Sequence, residues 1–513
     1  MTIENSPYDL VIVGGGINGA GIARDAAGRG LKVLLCEQDD LASHTSSAST
    51  KLVHGGLRYL EHYAFGLVRK ALREREVLLR AAPHLIRPMR FVMPHSKGLR
   101  PRWMLRAGLF LYDHLGGRKL LPGSHGINLR SHIAGDALQR HLLHAYEYSD
   151  CWVDDARLVV LNARAAAEQG ARIMTRTACV AADRGTTHWT VHLRSTVSGR
   201  EFTATARALV NAAGPWVSRL LAELTPASHR RPVRLVKGSH VVVPRLFAHD
   251  YAYVFQNPDR RIVFAIPYEG DYTLIGTTEE TFEGDPGDVD ISEAEIAYLC
   301  DTANRHFTQQ IAPAELVWTF SGVRPLYDDA AENASAVTRD YVLDLDSSGG
   351  QAPLLSIFGG KITTYRKLAE ESIALLSKPL GITAANWTAA ATLPGGDMAN
   401  ADFNRWMTAM ARTYPFLPEP LLHQYAHRYG TRMTALLGSA TSLQDLGEDL
   451  GSGIHGAELA HLMEHEWALT ANDVLWRRTK LGLHVSADTR RRLSDWFDRK
   501  TASATAAAKP GSP

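Results

Sequence analysis

Four cationic side chains stand at turn- or glycine-rich points of this 513-residue chain. Arg58 follows the pair Gly55-Gly56, Arg324 sits in "SGVRP", Arg339 in "TRDY", and Lys361 follows Gly359-Gly360. A guanidinium is a planar fork of donors that can hold a phosphate bidentately, and a neutral lysine amine can serve as a base. Taken singly, each of these residues suits a surface ion pair. Grouped at such turns, with the Tyr59 hydroxyl beside Arg58, they point to a phosphorylated substrate. His54 precedes the first glycine pair, and His240 lies in "KGSHVVV". An imidazole titrating near neutrality is a natural proton acceptor. On the residues alone, His240 reads first as a satisfied structural histidine. The 22 histidines form no H-E-x-x-H and no Cys/His cluster, so no metal site is expected. No nucleophile elbow and no P-loop occurs either.

The elements that would position these groups begin at the N-terminus. "YDLVIV" predicts a buried strand, "INGAGIARDAAGRG" a helix closed by Gly28 and Gly30, and "LKVLLCE" a second strand ending in Glu37. Between strand and helix stands Gly14-x-Gly16-x-x-Gly19. Gly14 makes the tight turn, Gly16 admits a pyrophosphate to the backbone, and Gly19 allows close helix–strand packing. The helix N-terminus supplies N–H donors, and Glu37 can accept from ribose hydroxyls. This fingerprint does not separate NAD from FAD. The stretch "TSSASTKLVHGG" decides for FAD, since a flavin needs a long groove lined by small residues, hydroxyls and bare backbone. A second glycine passage, "FGGKITTYRK", would aim a helix N-terminus at the flavin ring and stabilise its anionic reduced form. "NAAGPW" (211–216) lies between the two.

Further along, "PVRLVKGSHVVVP", "YAYVFQ", "RRIVFAIPY" and "YTLIGTT" predict an antiparallel meander over 232–277. Parallel-type runs return at "ALVNAAG" and "PLLSIFGGK". The fold class is therefore α/β: a Rossmann-like FAD-binding domain, an antiparallel-sheet substrate domain and a C-terminal helical domain. The FAD-binding domain is assembled from 1–85, 146–230 and 321–385. A cap segment of the substrate domain takes 86–145, the antiparallel domain 231–320, and the helical domain 386–500. The low-complexity tail 501–513 is expected to be disordered. The charged helix near 64–82, "LVRKALREREVLLR", is expected to be a solvated face held by i,i+4 pairs.

A net charge of +2 gives no field for nucleic acid, and four scattered cysteines suit a reducing compartment. Folded-domain patterning from the first ten residues argues against a signal peptide, and no apolar run is long enough to span a bilayer. A cytosolic protein, or one lying on a membrane surface, is expected.

Together, "VIVGGGINGAGIARDAAGRG", "SSASTKLVHGGLRYLEH", "EYSDCWVDDARLV", "VNAAGPWV", "KGSHVVVP", "WTFSGVRPL", "TRDY" and "FGGKITTYRKLAE" resemble the FAD-dependent, quinone-linked glycerol-3-phosphate dehydrogenases of the bacterial aerobic type. The similarity covers nearly the whole chain and extends to "YPFLPE" and "DVLWRRTKLGL"; the segment near 182–200 is a divergent loop. The resemblance implies a substrate pocket of Arg58, Tyr59, Arg324, Arg339, His240 and Lys361. It reverses the structural view of His240 and assigns His240, Arg324 and Lys361 jointly to proton transfer and alkoxide stabilisation. It also implies FAD contacts from Gly14, Gly16, Ile17, Asn18, Gly19 and Glu37, and from Ser46, Ser47, Ser49, His54, Gly55 and Gly56. Val180, Ala213, Gly214, Trp216, Gly360, Lys361 and Thr363 complete that set. The implied partners are glycerol 3-phosphate, a quinone and the lipid surface on the cytoplasmic side of the cell membrane, with the chain as a homodimer.

A lipid-soluble quinone requires contact with the bilayer. The segment 97–115 offers Lys97, Arg100, Arg102 and Arg106 to headgroups and Trp103, Met104, Leu105, Leu109, Phe110 and Leu111 as apolar area. An ordinary amphipathic core helix fits the same residues. The sequence also leaves open an oxidase that returns electrons to O₂, and a flavoprotein that only binds a phosphorylated ligand.

Overall fold

A computed structural model describes residues 6–96, 100–224, 233–327 and 340–507. The chain divides into two compact units, one of residues 1–81 and 86–391, the other of residues 82–85 and 392–513.

The first unit holds two sheets. One runs in the order Val342–Asp346, Leu354–Phe358, Glu201–Asn211, Tyr8–Val13, Val33–Cys36, Arg172–Met174. All neighbours are parallel except the first pair. Leu10, Val11, Ile12, Val33, Leu34 and Leu35 are wholly buried, as expected for a parallel sheet covered on both faces. Each such side chain stabilises the fold by about 1.5–3 kcal/mol relative to exposure. Helix α1, Ile17–Gly28, is built of small residues and packs against α4 (Asp155–Glu168) and the helix Tyr365–Leu380. A Cβ on Gly19 would lie 1.9 Å from the Gly14 carbonyl oxygen, which shows how closely the helix approaches the strand end.

The second sheet follows the order Glu280–Thr281, Val233–Pro244, Tyr272–Gly276, Ile262–Tyr268, Ala252–Gln256, Ile86–His95, His144–Val153, Leu52–Val53. The expected meander is present, with Val241 opposite Ile275, Ile266 opposite Leu274 and Val254 opposite Phe264. Trp318–Tyr327 pairs antiparallel along the other side of Val233–Pro244. Two expected boundaries therefore shift. Residues 146–153 and 321–327, read as parts of the FAD-binding domain, lie in the second sheet. The divergent segment near 182–200 is not a plain loop: Thr177–Arg184 and Trp189–Ser195 form an antiparallel hairpin that joins Glu201–Asn211.

Helix α2, Phe65–Ala81, departs from its expected solvated face. Glu74, Arg75 and Glu76 are buried. Glu74 receives a bidentate pair from Arg366 at 2.7 and 2.6 Å, and Arg75 donates to Asp150 at 2.7 Å. The charge pattern matched a surface helix, yet its partners lie far away in sequence. Helix α3, Arg102–Leu115, follows.

The second unit is helical, built on Phe403–Thr413, Glu419–Tyr429, Gly456–Glu466 and Ala487–Ala507. Its core includes Leu421, Tyr425, Leu459, Leu462, Val474 and Leu493. The last helix continues to Ala507, so 501–507 is helical where a disordered tail was expected; the remainder of that tail lies outside the described residues.

Candidate active site

The cofactor side of the site forms where the parallel strands end. Gly14 has φ +113°, and a Cβ there would stand 2.4 Å from the Ala212 carbonyl oxygen, so only glycine fits this turn. The Glu37 carboxylate accepts the Gly15 N–H at 2.6 Å and the Asp39 N–H at 2.9 Å. Burial pushes the Glu37 carboxyl up, opposed by those two donors. At the α1 N-terminus, the Ile17 N–H donates to Ser46 Oγ at 3.0 Å, while Asn18 Nδ2 donates to the Gly359 carbonyl at 3.0 Å. Both glycine passages thus meet at one helix end. This cradle of bare backbone beside an acid at the end of the second strand fits the phosphates and ribose of FAD.

Other expected cofactor residues flank it. Ala213 N–H donates to Asn211 Oδ1, and Gly214 and Trp216 form the short turn that follows. The Trp216 ring meets His44 edge-on at 4.7 Å, and His44 bonds Asp39 at 2.9 Å. Val180 sits in the hairpin strand whose first residue, Thr177, donates to the Glu37 carbonyl at 2.7 Å. The Ser-rich stretch divides its labour. Ser46 faces α1, whereas Ser49 Oγ donates to Asp155 at 2.7 Å and the Ser47 carbonyl accepts from Lys51.

The same stretch then meets the second glycine passage. His54 N–H donates to Thr363 Oγ1 at 3.2 Å, and Lys361 Nζ lies 3.8 Å from the centre of the Tyr59 ring. Gly56 is left-handed at φ +72°, with Tyr59 packed where a side chain would be. Burial pushes the His54 imidazole down in pKa, with Asp150 opposing.

A cavity of about 600 Å³ opens here. Thr50, His54, Arg58, Tyr59, Thr277 and Arg324 line its polar part, and α3 supplies apolar wall from Met104, Leu105 and Leu111. Arg58 Nη1 lies 3.9 Å from Glu279. His240 stands behind Thr50, its Nε2 2.9 Å from Thr50 Oγ1, and stacks on Phe320 at 4.7 Å. Its Nδ1 has no hydrogen-bond partner among the described residues. The near-neutral titration expected for it is not found. Burial, then the charges of Lys51 and Arg324, push its pKa down to about 3. The structure therefore brings His54, Arg58, Tyr59 and Arg324 onto one cavity, with His240 joined through Thr50 and Lys361 through Tyr59. Arg339 lies outside the described residues.

Two groups escaped the sequence reading. Lys51 Nζ bonds both Asp155 oxygens at 2.9 Å, with both side chains fully buried. Arg75, Tyr112 and Asp150 are also buried; Tyr112 and Asp150 accept the Gly55 N–H, and Arg75 holds Asp150. Lys51, Asp150 and Asp155 lie within "STKLVHGG" and "SDCWVDD", where acids beside an apolar strand were the available signal.

The expected membrane segment is mixed. Trp103 is 71% exposed, and Met104, Phe110 and Leu111 are exposed as well, but Leu109 is buried. Arg100 is engaged by Glu61 and by Gln256 at 2.9 Å, and Arg106 donates to Ser124 at 2.9 Å. Lys97 lies outside the described residues. Among the described residues no helix is long and apolar enough to cross a membrane.

This two-sheet arrangement, with a dinucleotide cradle at the end of the parallel sheet, defines an FAD-dependent oxidoreductase. Residues 9–366 match the FAD dependent oxidoreductase family, and residues 386–497 match the C-terminal domain of alpha-glycerophosphate oxidase. Glycerol-3-phosphate dehydrogenase of Pseudomonas aeruginosa is 52% identical over 96% of this chain and 95% of its own. D-erythritol 1-phosphate dehydrogenase of Brucella abortus is 52% identical over 96% and 98%. The crystal structure of the glycerol-3-phosphate dehydrogenase from Bacillus halodurans, complexed with FAD, superposes with a TM-score of 0.78 at 26% identity, covering 97% of this chain and 91% of that one. The chain belongs to the FAD-dependent glycerol-3-phosphate dehydrogenase family, and FAD is its cofactor.

Proposed function

We propose that the protein oxidises sn-glycerol 3-phosphate to dihydroxyacetone phosphate and passes the electrons to a membrane quinone. The observation that carries this reading is the cavity in which Arg58 and Arg324 face the polar wall shared by His54, Tyr59 and Thr50. When bound, FAD accepts the hydride from the carbinol carbon. Arg58 and Arg324, with Arg339 as a third cation, hold the phosphate and screen the developing alkoxide. Thr50 relays between the substrate hydroxyl and His240, and Lys361 stays near through Tyr59. Burial is the main cause of the low His240 pKa. A phosphate dianion beside Arg324 offsets only the positive field of Lys51 and Arg324 that adds to it, so substrate binding raises the affinity of His240 for a proton.

The FAD contacts follow the cradle described above. Ser49 is the least suited of the expected set, because its hydroxyl is committed to Asp155. The exposed apolar residues of α3 support peripheral contact with the inner face of the cell membrane, where Arg102 meets headgroups. A homodimer rests on the family resemblance alone.

A second reading, a four-carbon polyol phosphate, is favoured by the equal identity to the erythritol phosphate enzyme. Anaerobic bleaching of the bound flavin tests both. Glycerol 3-phosphate is expected to bleach it faster than erythritol 1-phosphate, and the reverse order would reassign the substrate. A flavin that stays yellow with both would leave a ligand-binding flavoprotein. Reoxidation by O₂ with stoichiometric peroxide, in preference to a quinone analogue, would make the protein an oxidase.

A further inference from the structure

Two elements converge on a single backbone N–H, and a third braces them. The Gly55 N–H donates to Tyr112 Oη at 2.8 Å and, more weakly, to Asp150 Oδ1 at 3.3 Å. Tyr112 comes from α3, and its hydroxyl donates to both Asp150 oxygens at 2.8 and 2.7 Å. Asp150 comes from the strand His144–Val153 and is held by Arg75 of α2 at 2.7 Å, which also donates to the Ser149 carbonyl at 2.8 Å. Arg75, Tyr112 and Asp150 are 3%, 2% and 2% exposed.

A buried acid–guanidinium pair is a poor source of stability, because desolvating two charges offsets most of their attraction. What such a pair does supply is fixed geometry. Here it orients one phenol, and the phenol orients one peptide. Gly55 leaves room for this: a Cβ there would lie 2.7 Å from Tyr112 Oη and 2.4 Å from Leu72. The peptide so fixed joins His54, which lines the cavity, to the left-handed turn at Gly56 that carries Arg58 and Tyr59.

We propose that Tyr112 and Asp150, braced by Arg75, are positioning residues of the active site. They set the plane of the His54–Gly55 peptide and, through it, the turn beside the flavin. Neither reacts with substrate. The proposal rests on the reading above that this turn lines the flavin.

Tyr112→Phe keeps the ring and removes only the hydroxyl. In FAD-saturated holoenzyme, anaerobic bleaching by glycerol 3-phosphate, expressed per bound FAD, is expected to slow about tenfold, the scale of a small misplacement of reacting groups. The half-saturating substrate concentration should move less than about twofold, and the visible circular dichroism of the bound flavin should change. Asp150→Asn should act in the same direction and serves if Tyr112→Phe yields no holoenzyme. Tyr425→Phe, which removes a buried hydroxyl in the C-terminal unit, should change neither signal. A Tyr112→Phe or Asp150→Asn holoenzyme with unaltered dichroism and a bleaching rate within about twofold of the parent overturns the proposal. So does a Tyr425→Phe effect of equal size. His54→Ala separates this failure from that of the underlying reading. If His54→Ala alters the flavin dichroism while Tyr112→Phe does not, only the positioning role falls. If neither does, the turn is not beside the flavin and both fall.

Discussion

Replacing Asp155 with Ala removes the carboxylate that Lys51 bonds through both of its oxygens, and the consequence can be worked out from the contacts. Lys51 Nζ sits 2.9 Å from both Asp155 oxygens, 2.9 Å from the Ser47 carbonyl and 5.0 Å from the centre of the Phe320 ring, over its face. Its side chain has no exposed surface. Without Asp155 the buried ammonium loses its bidentate counter-charge, and neither the Ser47 carbonyl nor the Phe320 ring carries a charge to replace it. Breaking a buried pair on one side costs about 3–5 kcal/mol. Ser49, whose N–H and hydroxyl donate to the same carboxylate, adds about 1 kcal/mol. With an unfolding entropy of about 2 cal/mol/K per residue across a unit approaching 400 residues, the melting temperature should fall by about 5–7 °C. Scanning calorimetry at equal FAD saturation measures it. Adding Lys51→Met to the Asp155→Ala variant removes the stranded charge and should recover about half of the loss. An Asp155→Ala protein that melts within about 1 °C of the parent, or a double variant no more stable than the single one, refutes this account.

Three further outcomes follow from the same site. Arg324→Ala should lower kcat/KM by about 2–5 kcal/mol in transition-state terms while FAD content stays normal; near-parental kcat/KM would place Arg324 outside the substrate clamp. His240 has a folded pKa of about 3 against 6.5 for an ordinary histidine, so the unfolded chain binds that proton more tightly. Its contribution to stability is present above pH 6.5 and is lost as pH falls towards 3. His240→Gln should therefore flatten stability against pH across that window, and an unchanged slope in urea titrations would contradict the burial argument. Replacing Arg102, Trp103 and Arg106 together with Ser should weaken co-sedimentation with anionic vesicles, by about 1 kcal/mol for each cation that meets a headgroup. Unchanged co-sedimentation of the folded variant would remove α3 from the membrane contact.

What the sequence disclosed was whatever is encoded locally. Gly14, Gly16, Gly19 and Glu37 stand at fixed offsets around a strand–turn–helix, and the meander over 232–277 shows as short β-rich runs separated by tight turns. Pairings across long separations stayed hidden. The i,i+4 charges of α2 satisfy a surface-helix pattern whether or not Arg366 and Asp150 arrive to bury them. His240 was visible as a residue, but its depressed pKa depends first on burial among segments distant in sequence and then on the charges of Lys51 and Arg324. Lys51 itself lay inside the most informative stretch of the chain and went unremarked, because a lysine beside serines gives no sign that an aspartate a hundred residues later will enclose it.

The four residues 82–85 belong to the C-terminal unit although α2 and the strand Ile86–His95, on either side of them, belong to the first. Ala82, His84 and Leu85 are buried there, and the His84 carbonyl is bonded by His427 at 2.9 Å. This ties the timetable of synthesis to the architecture. When residues 82–85 leave the ribosome, the rest of their unit begins roughly 300 residues downstream, about 15–60 s away at ordinary elongation rates. During that interval a short apolar loop waits uncovered between two elements that can already form. A message truncated near codon 391 would release a polypeptide whose residues 82–85 lack the unit they belong to. The C-terminal unit is in this sense a late partner of an early segment, and trimming it to obtain a minimal oxidoreductase would remove the unit with which residues 82–85 pack.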